Sequence, residues 1–149
     1  MRSECPWNEA ERRFGLEVLQ LPLPPETGGA VLRRKDGHAW IIIDPTLSPV
    51  EQRCRLAHEL VHLDRGSSLR CRWSPRSMDT IIMREELRVD SEVSRWLVDQ
   101  DELWILVGDM VASGDDVTAR VIAEHFQVTK PIARIALDRL ARVQGVQVA

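Results

Sequence analysis

The sequence has no tyrosine, two phenylalanines, three cysteines, and two lysines against 18 arginines. Cys5, Cys54 and Cys71 form no C-x-x-C pair. So few cysteines, and an odd number of them, argue against a disulfide scaffold and for a reducing, cytoplasmic setting. No apolar run approaches the ~18 residues that a membrane span requires. The opening stretch MRSECPWNEAERR lacks the apolar centre of a secretory signal. A net charge of −3 excludes a generally basic nucleic-acid coat while leaving room for a local basic patch. What is present suits a folded domain: 149 residues, 44% hydrophobic and 29% charged. A chain of this length can bury a core without cross-links.

The spacing predicts a short helix over residues 7–14, stopped by Gly15. Pro22, Pro24 and Pro25 then interrupt a loose apolar alternation. Asp36-Gly37 stands between two strand-like runs, Ala30–Leu32 and His38–Ile43, which predicts a hairpin with a type I′ turn. The second strand is continuously apolar and β-branched, so burial on both faces is expected. Ser48-Pro49-Val50-Glu51 reads as a helix start, with Ser as the cap, Pro in the first helical position and Glu reaching back. That helix is expected over residues 49–65, closed by Gly66. Residues 66–79 show no periodicity, and Arg65, Arg70, Arg72 and Arg76 make the stretch basic. Further helices are expected over residues 80–98 and 101–112, and two more around Gln127-Val128-Thr129. The fold class is α+β: a small antiparallel sheet packed on two helices, followed by a helical tail. The expected division is a domain over residues 1–112 and a helix-turn-helix-like tail over 113–149 packed on it.

His58-Glu59-Leu60-Val61-His62 is an H-E-x-x-H pattern inside the capped helix. Residues i and i+4 lie one turn apart on the same face, so both imidazoles can reach one metal ion. Glu59 lies ~100° round the helix, where it can take a proton from a metal-bound water. The same stripe, with Glu51, Arg55 and Arg65, also suits a solvated helix face carrying an Arg55–Glu59 pair. The flanks favour the metal. Every residue from Leu56 to Leu63 other than His58, Glu59 and His62 is apolar, and buried polar groups need partners. Cys54, one turn before His58, suits either a fourth ligand or a small core residue.

A catalytic zinc site uses three protein ligands and an open fourth position. Glu86 and Asp90 lie near the apolar side of the next helix, which Val89, Val93, Trp96 and Leu97 define. Carboxylates facing a core are costly unless paired or metal-bound. Glu86 as third ligand answers one of them, with Glu85 as the alternative. Asp90, one turn on, can accept the free N–H of a ligating imidazole and fix its tautomer.

These blocks resemble the gluzincin arrangement and, more closely, the ImmA/IrrE family of small metallopeptidases. The resemblance covers most of residues 14–100. It rests on the strand Trp40–Asp44, the helix Arg53–Leu63 with its H-E-x-x-H, and the block Glu86–Val98. It implies His58, His62 and Glu86 as ligands of one Zn²⁺ per chain, Glu59 as general base, and Asp90 behind a ligating histidine. It also implies a zinc-dependent endopeptidase whose substrate is a helix-turn-helix repressor of a mobile element, such as a phage, or of a stress response. The chain departs from the family pattern at Val61, where Gly is frequent, at Val89 in place of Ala, and at Asp99 in place of Pro. With no tyrosine to stabilise an oxyanion, His125, Arg95 or an arginine of the 65–76 stretch stands as a candidate.

Two other classes of function fit parts of the sequence: a non-catalytic regulator that binds a repressor by contact, and a DNA-binding regulator acting through the tail. Lys130, Arg134 and Arg139 suit phosphate contacts, whereas Glu124, Asp138 and the acidic linker oppose them, so direct nucleic-acid binding is not expected. The expected partner is a protein, with no membrane. Zincins hold peptides as an added strand, and Trp40–Ile43 or its neighbour is the candidate edge.

Overall fold

The computed structural model describes residues 5–24, 27–66 and 76–145. They form α1 (Pro6–Phe14), β1 (Glu17–Gln20), β2 (Gly29–Arg33), β3 (Ala39–Ile43), α2 (Pro49–Arg65), α3 (Arg76–Leu97), α4 (Gln100–Ser113), α5 (Ala119–Phe126) and α6 (Lys130–Gln144). The fold is α+β, as expected. The chain divides into two compact units, Met1–Val89 and Asp90–Ala149, and α3 runs through the division. The 112/113 boundary read from the sequence lies in the last turn of α4, inside the second unit. Part of the basic 66–79 stretch, with Arg70, Cys71 and Arg72, lies outside the described residues.

The first unit is built on a three-stranded sheet in the order β1-β3-β2. β2 and β3 pair antiparallel, from Gly29 opposite Ile43 to Arg33 opposite Ala39. The sheet also has a parallel strand that the sequence did not announce: β1 runs beside β3, with Glu17 opposite Trp40 and Gln20 opposite Ile43. Its four residues carry too little alternation to signal a strand, and their partner lies far along the chain. β3 is therefore the central strand, not an edge, and among the described residues the free edges belong to β1 and β2. Ile41, Ile42 and Ile43 are buried, as their continuous apolar run predicts.

The turn between β2 and β3 differs from expectation. A type I′ turn needs positive φ at both central residues. Here Gly37 has φ 91° and Asp36 does not join it. The Gly37 N–H donates to the Arg34 carbonyl at 3.1 Å and the Arg34 N–H to the His38 carbonyl at 2.7 Å. This is the longer hairpin loop, in which a single glycine takes the left-handed position and returns the chain to register. The Asp36 carboxylate accepts the His38 N–H at 3.1 Å, which holds that loop.

α2 begins as its sequence dictates. Ser48 Oγ accepts the Glu51 N–H at 3.3 Å, and Glu51 Oε2 accepts the Ser48 N–H at 2.9 Å. Hydrogen bonding to its carboxylate from the Ser48 hydroxyl, and then from the Ser48 N–H, holds the Glu51 carboxyl below its ordinary range. Gly66, left-handed at φ 64°, ends the helix. α2 packs on α1, β2 and β3, and buries Leu56, Ala57, Leu60 and Val61 completely. Each large apolar side chain in such a position contributes about 1.5–3 kcal/mol.

The second unit is helical. Asp99 caps α4 by accepting the Glu102 N–H at 2.8 Å, and Thr118 caps α5. Gln127, left-handed at φ 53°, turns the chain from α5 into α6, where the sequence placed the turn. Ile122, Ile132, Ala133, Ala136, Leu137 and Leu140 form the buried seam of the α5–α6 pair. Arg139 is drawn inward: its Nε donates to Gln100 Oε1 at 2.8 Å and a terminal nitrogen to Ser94 Oγ at 3.3 Å. Desolvation, and then the neighbouring Arg95 charge, lower its pKa. Among the described residues no helix is long and apolar enough to cross a membrane.

Candidate metal centre

Among the described residues, the one cluster of side chains able to hold a metal together belongs to the first unit. The 3.6-residue turn of α2 stacks His58 over His62 with their Nε2 atoms 3.0 Å apart. α3 brings Glu86 to the same point. Its Oε2 lies 3.1 Å from His58 Nε2 and its Oε1 3.1 Å from His62 Nε2. The three ligand atoms lie within 4.8 Å of one another, and Cys54 is not among them. His58 is 6% exposed, which sets aside the solvated-stripe alternative. Hydrogen bonds from His58 and then His62 hold the Glu86 carboxyl far below the usual carboxylate range, against a desolvation that raises it.

Glu59 faces another way from the same helix. It is 6% exposed, and its Oε1 is buried without a hydrogen-bond partner among the described residues. A buried unpaired carboxylate oxygen is costly, so such an atom marks a place where another molecule supplies the hydrogen. The backbone of Gly29, at the start of β2, closes over it. A Cβ on Gly29 would stand 3.2 Å from Glu59 Oε1 and 2.5 Å from Arg55 Cγ. Only glycine permits that approach. The Gly28-Gly29 dipeptide was the available sequence signal, and the motif-based reading did not use it. The Arg55–Glu59 pair expected on a solvated face is not formed: the Arg55 side chain lies along Gly28 and Gly29 instead.

The two adjacent carboxylates of α3 take different partners. Glu85, 9% exposed, receives the fork of Arg65, with Nε to Oε1 at 2.5 Å and the terminal nitrogen to Oε2 at 3.1 Å. Arg65 thus has a partner among the candidates for oxyanion stabilisation. His125 and Arg95 belong to the second unit, where His125 Nε2 lies 2.9 Å from Glu102 Oε1. Asp90 is half-buried on α3 one turn beyond Glu86, at the first residue of the second unit.

Two imidazole nitrogens and one carboxylate, with Cys54 outside the cluster, fit a zinc site that keeps a position open. Residues 11–86 match the family described as the IrrE N-terminal-like domain, Peptidase M78. That span is half of the chain. The chain belongs to the M78 peptidase family. Members are of the zinc metallopeptidase type, and the matched span holds the whole sheet, α2, and α3 as far as Glu86. The M78 assignment agrees with the family resemblance read from the sequence, and the matched span takes in the hairpin, the H-E-x-x-H helix and Glu86, the first residue of the block that follows. No curated protein matches the chain.

Proposed function

We propose that this M78 family member is a zinc-dependent endopeptidase acting on a partner protein. His58, His62 and Glu86 hold the metal, and Glu59 is the general base. The convergence of three ligand atoms within 4.8 Å, beside a buried carboxylate oxygen with no protein partner, carries this reading. When bound, zinc supplies a water acidic enough to ionise near neutral pH and a Lewis acid for the scissile carbonyl. Glu59 accepts a proton from the attacking water and returns it to the leaving amine nitrogen, so the enzyme ends as it began. The free edge of β2 is the platform for the peptide: its first residue, Gly29, adjoins Glu59, so a strand added there lies next to the base. Asp90 keeps the role suggested by its spacing from Glu86. A DNA-binding repressor is the substrate class that the family resemblance suggests.

Metal content by elemental analysis, on chain purified without chelator, is the first test. About one zinc per chain is expected, and little or none in Glu86→Ala. Absence of zinc from both, even after zinc is added back, would sink the proposal. Glu59→Gln should retain zinc and bind the partner while losing about 10²–10⁴-fold in cleavage rate. Undiminished cleavage by that variant would remove Glu59 from its role. Partner binding without cleavage by the parent would favour a regulator acting by contact.

A further inference from the structure

We propose that Arg65 and Glu85 are positioning residues for the metal centre: their forked ion pair fixes α3 against the last turn of α2 so that Glu86 meets both imidazoles. The inference rests on the ligand assignment above.

Arg65 is the last residue of α2, three beyond His62, and Glu85 immediately precedes Glu86. Neighbours on a helix point ~100° apart, so one turn of α3 can send Glu86 to the histidines and Glu85 to Arg65 at once. Both oxygens of Glu85 are engaged, at 2.5 and 3.1 Å. A two-pronged contact sets rotation as well as distance, which a single hydrogen bond does not. Arg88, 3.7 Å from Glu85 Oε2, adds a second positive charge from one turn along α3. Only 9% of Glu85 is exposed, so water competes weakly for the pair.

The contacts between Glu86 and the histidines cannot do this work with metal present. They run through His58 Nε2 and His62 Nε2, the atoms that would ligate the ion. A ring nitrogen that gives its lone pair to a metal carries no proton to donate to Glu86. The Arg65–Glu85 fork uses no ligand atom, so it holds the helices in the same relation before and after metal uptake. It thereby pre-pays the ordering of the third ligand.

The test is zinc affinity, by competition with a chromophoric chelator, together with the visible spectrum of the cobalt-loaded full chain. The variants are Arg65→Met, Arg65→Lys and Glu85→Gln, each checked for folding by circular dichroism without metal. Arg65→Met and Glu85→Gln should bind zinc about 10–100-fold more weakly while remaining folded, with altered cobalt bands. Arg65→Lys, which keeps the charge without the fork, should fall between them and the parent. Unchanged affinity and spectra in the folded variants, even with a lower melting temperature, would overturn the inference and leave a merely structural ion pair. Should Arg65→Met fail to fold, Glu85→Gln, which preserves side-chain volume, decides in the same way. A parent chain that binds no zinc overturns the ligand assignment and this inference with it.

Discussion

Histidine meets glutamate at hydrogen-bond distance in both units of this molecule, and the two arrangements mean different things. In the first unit, the His58 side chain is 8% exposed and shares Glu86 with a second histidine. In the second unit, the His125 side chain is 41% exposed and meets one carboxylate, Glu102, itself 58% exposed. The second arrangement is a surface pair, worth ~0–1 kcal/mol. The first gathers groups that would otherwise cost energy to bury, beside a carboxylate oxygen left without a partner. Pairing alone does not distinguish a site from a surface. Convergence in a buried place does.

The largest expected effect breaks the comparison outright. His58→Ala should lower zinc from about one per chain to near zero, whereas His125→Ala should leave it unchanged. Elemental analysis of the two proteins side by side decides, and equal zinc in both would erase the distinction. Next is a cavity in the second unit. Ile122 is fully buried, so Ile122→Ala should lower the unfolding free energy by about 2–5 kcal/mol. Metal content measured well below its melting transition should not move, because the proposed ligands all belong to the first unit.

A smaller effect sharpens the picture around Glu59. Gly29→Ala forces a Cβ to 2.5 Å from Arg55 Cγ, and the stem of Arg55 must shift. Chemical denaturation should show a loss of about 1–3 kcal/mol, in the range of overpacked cores. Gly37→Ala, which meets no atom within 4 Å but carries φ 91°, separates backbone strain from crowding.

The smallest effect is a pH dependence at the end of β3. Asp44 accepts the Thr46 hydroxyl at 2.7 Å, the Thr46 N–H at 2.9 Å and the Leu23 N–H at 3.2 Å. These bonds, the Thr46 hydroxyl first, hold its carboxyl below the ordinary value. Its folded pKa is therefore lower than its unfolded pKa of about 3.9. The stabilisation is present above that unfolded value and is lost as pH falls through the folded one. Thr46→Ala should thus be less stable than the parent at about pH 7, with the gap closing at about pH 2. A gap that persisted in acid would assign the loss to something other than the carboxylate.

The legible parts of the structure were those governed by neighbours along the chain. The capping of α2 by Ser48 and Glu51, its stop at Gly66, and the turn at Gln127 depend on residues one to four apart. The same holds for His58 and His62, since the pitch of one helix alone puts both on one face. β1 was not legible, because a short half-exposed strand is defined by a partner far along the chain. Nor was the hairpin turn, because Asp-Gly serves two loop families that differ only in which residue takes positive φ.

Composition, the local helix signals and the H-E-x-x-H spacing were enough to name an α+β chain with two histidines on one helix face, proposed here as metal ligands, and a glutamate beside them. Only the tertiary structure decided between Glu85 and Glu86. Adjacent helix positions diverge by ~100°, so which carboxylate reaches the histidines depends on how α3 is rotated against α2. That rotation leaves Glu86 at the imidazoles and Glu85 in the fork of Arg65. The closure of Gly29 over Glu59 was likewise a tertiary matter, since a glycine shows what backbone approach is possible and not what will approach it.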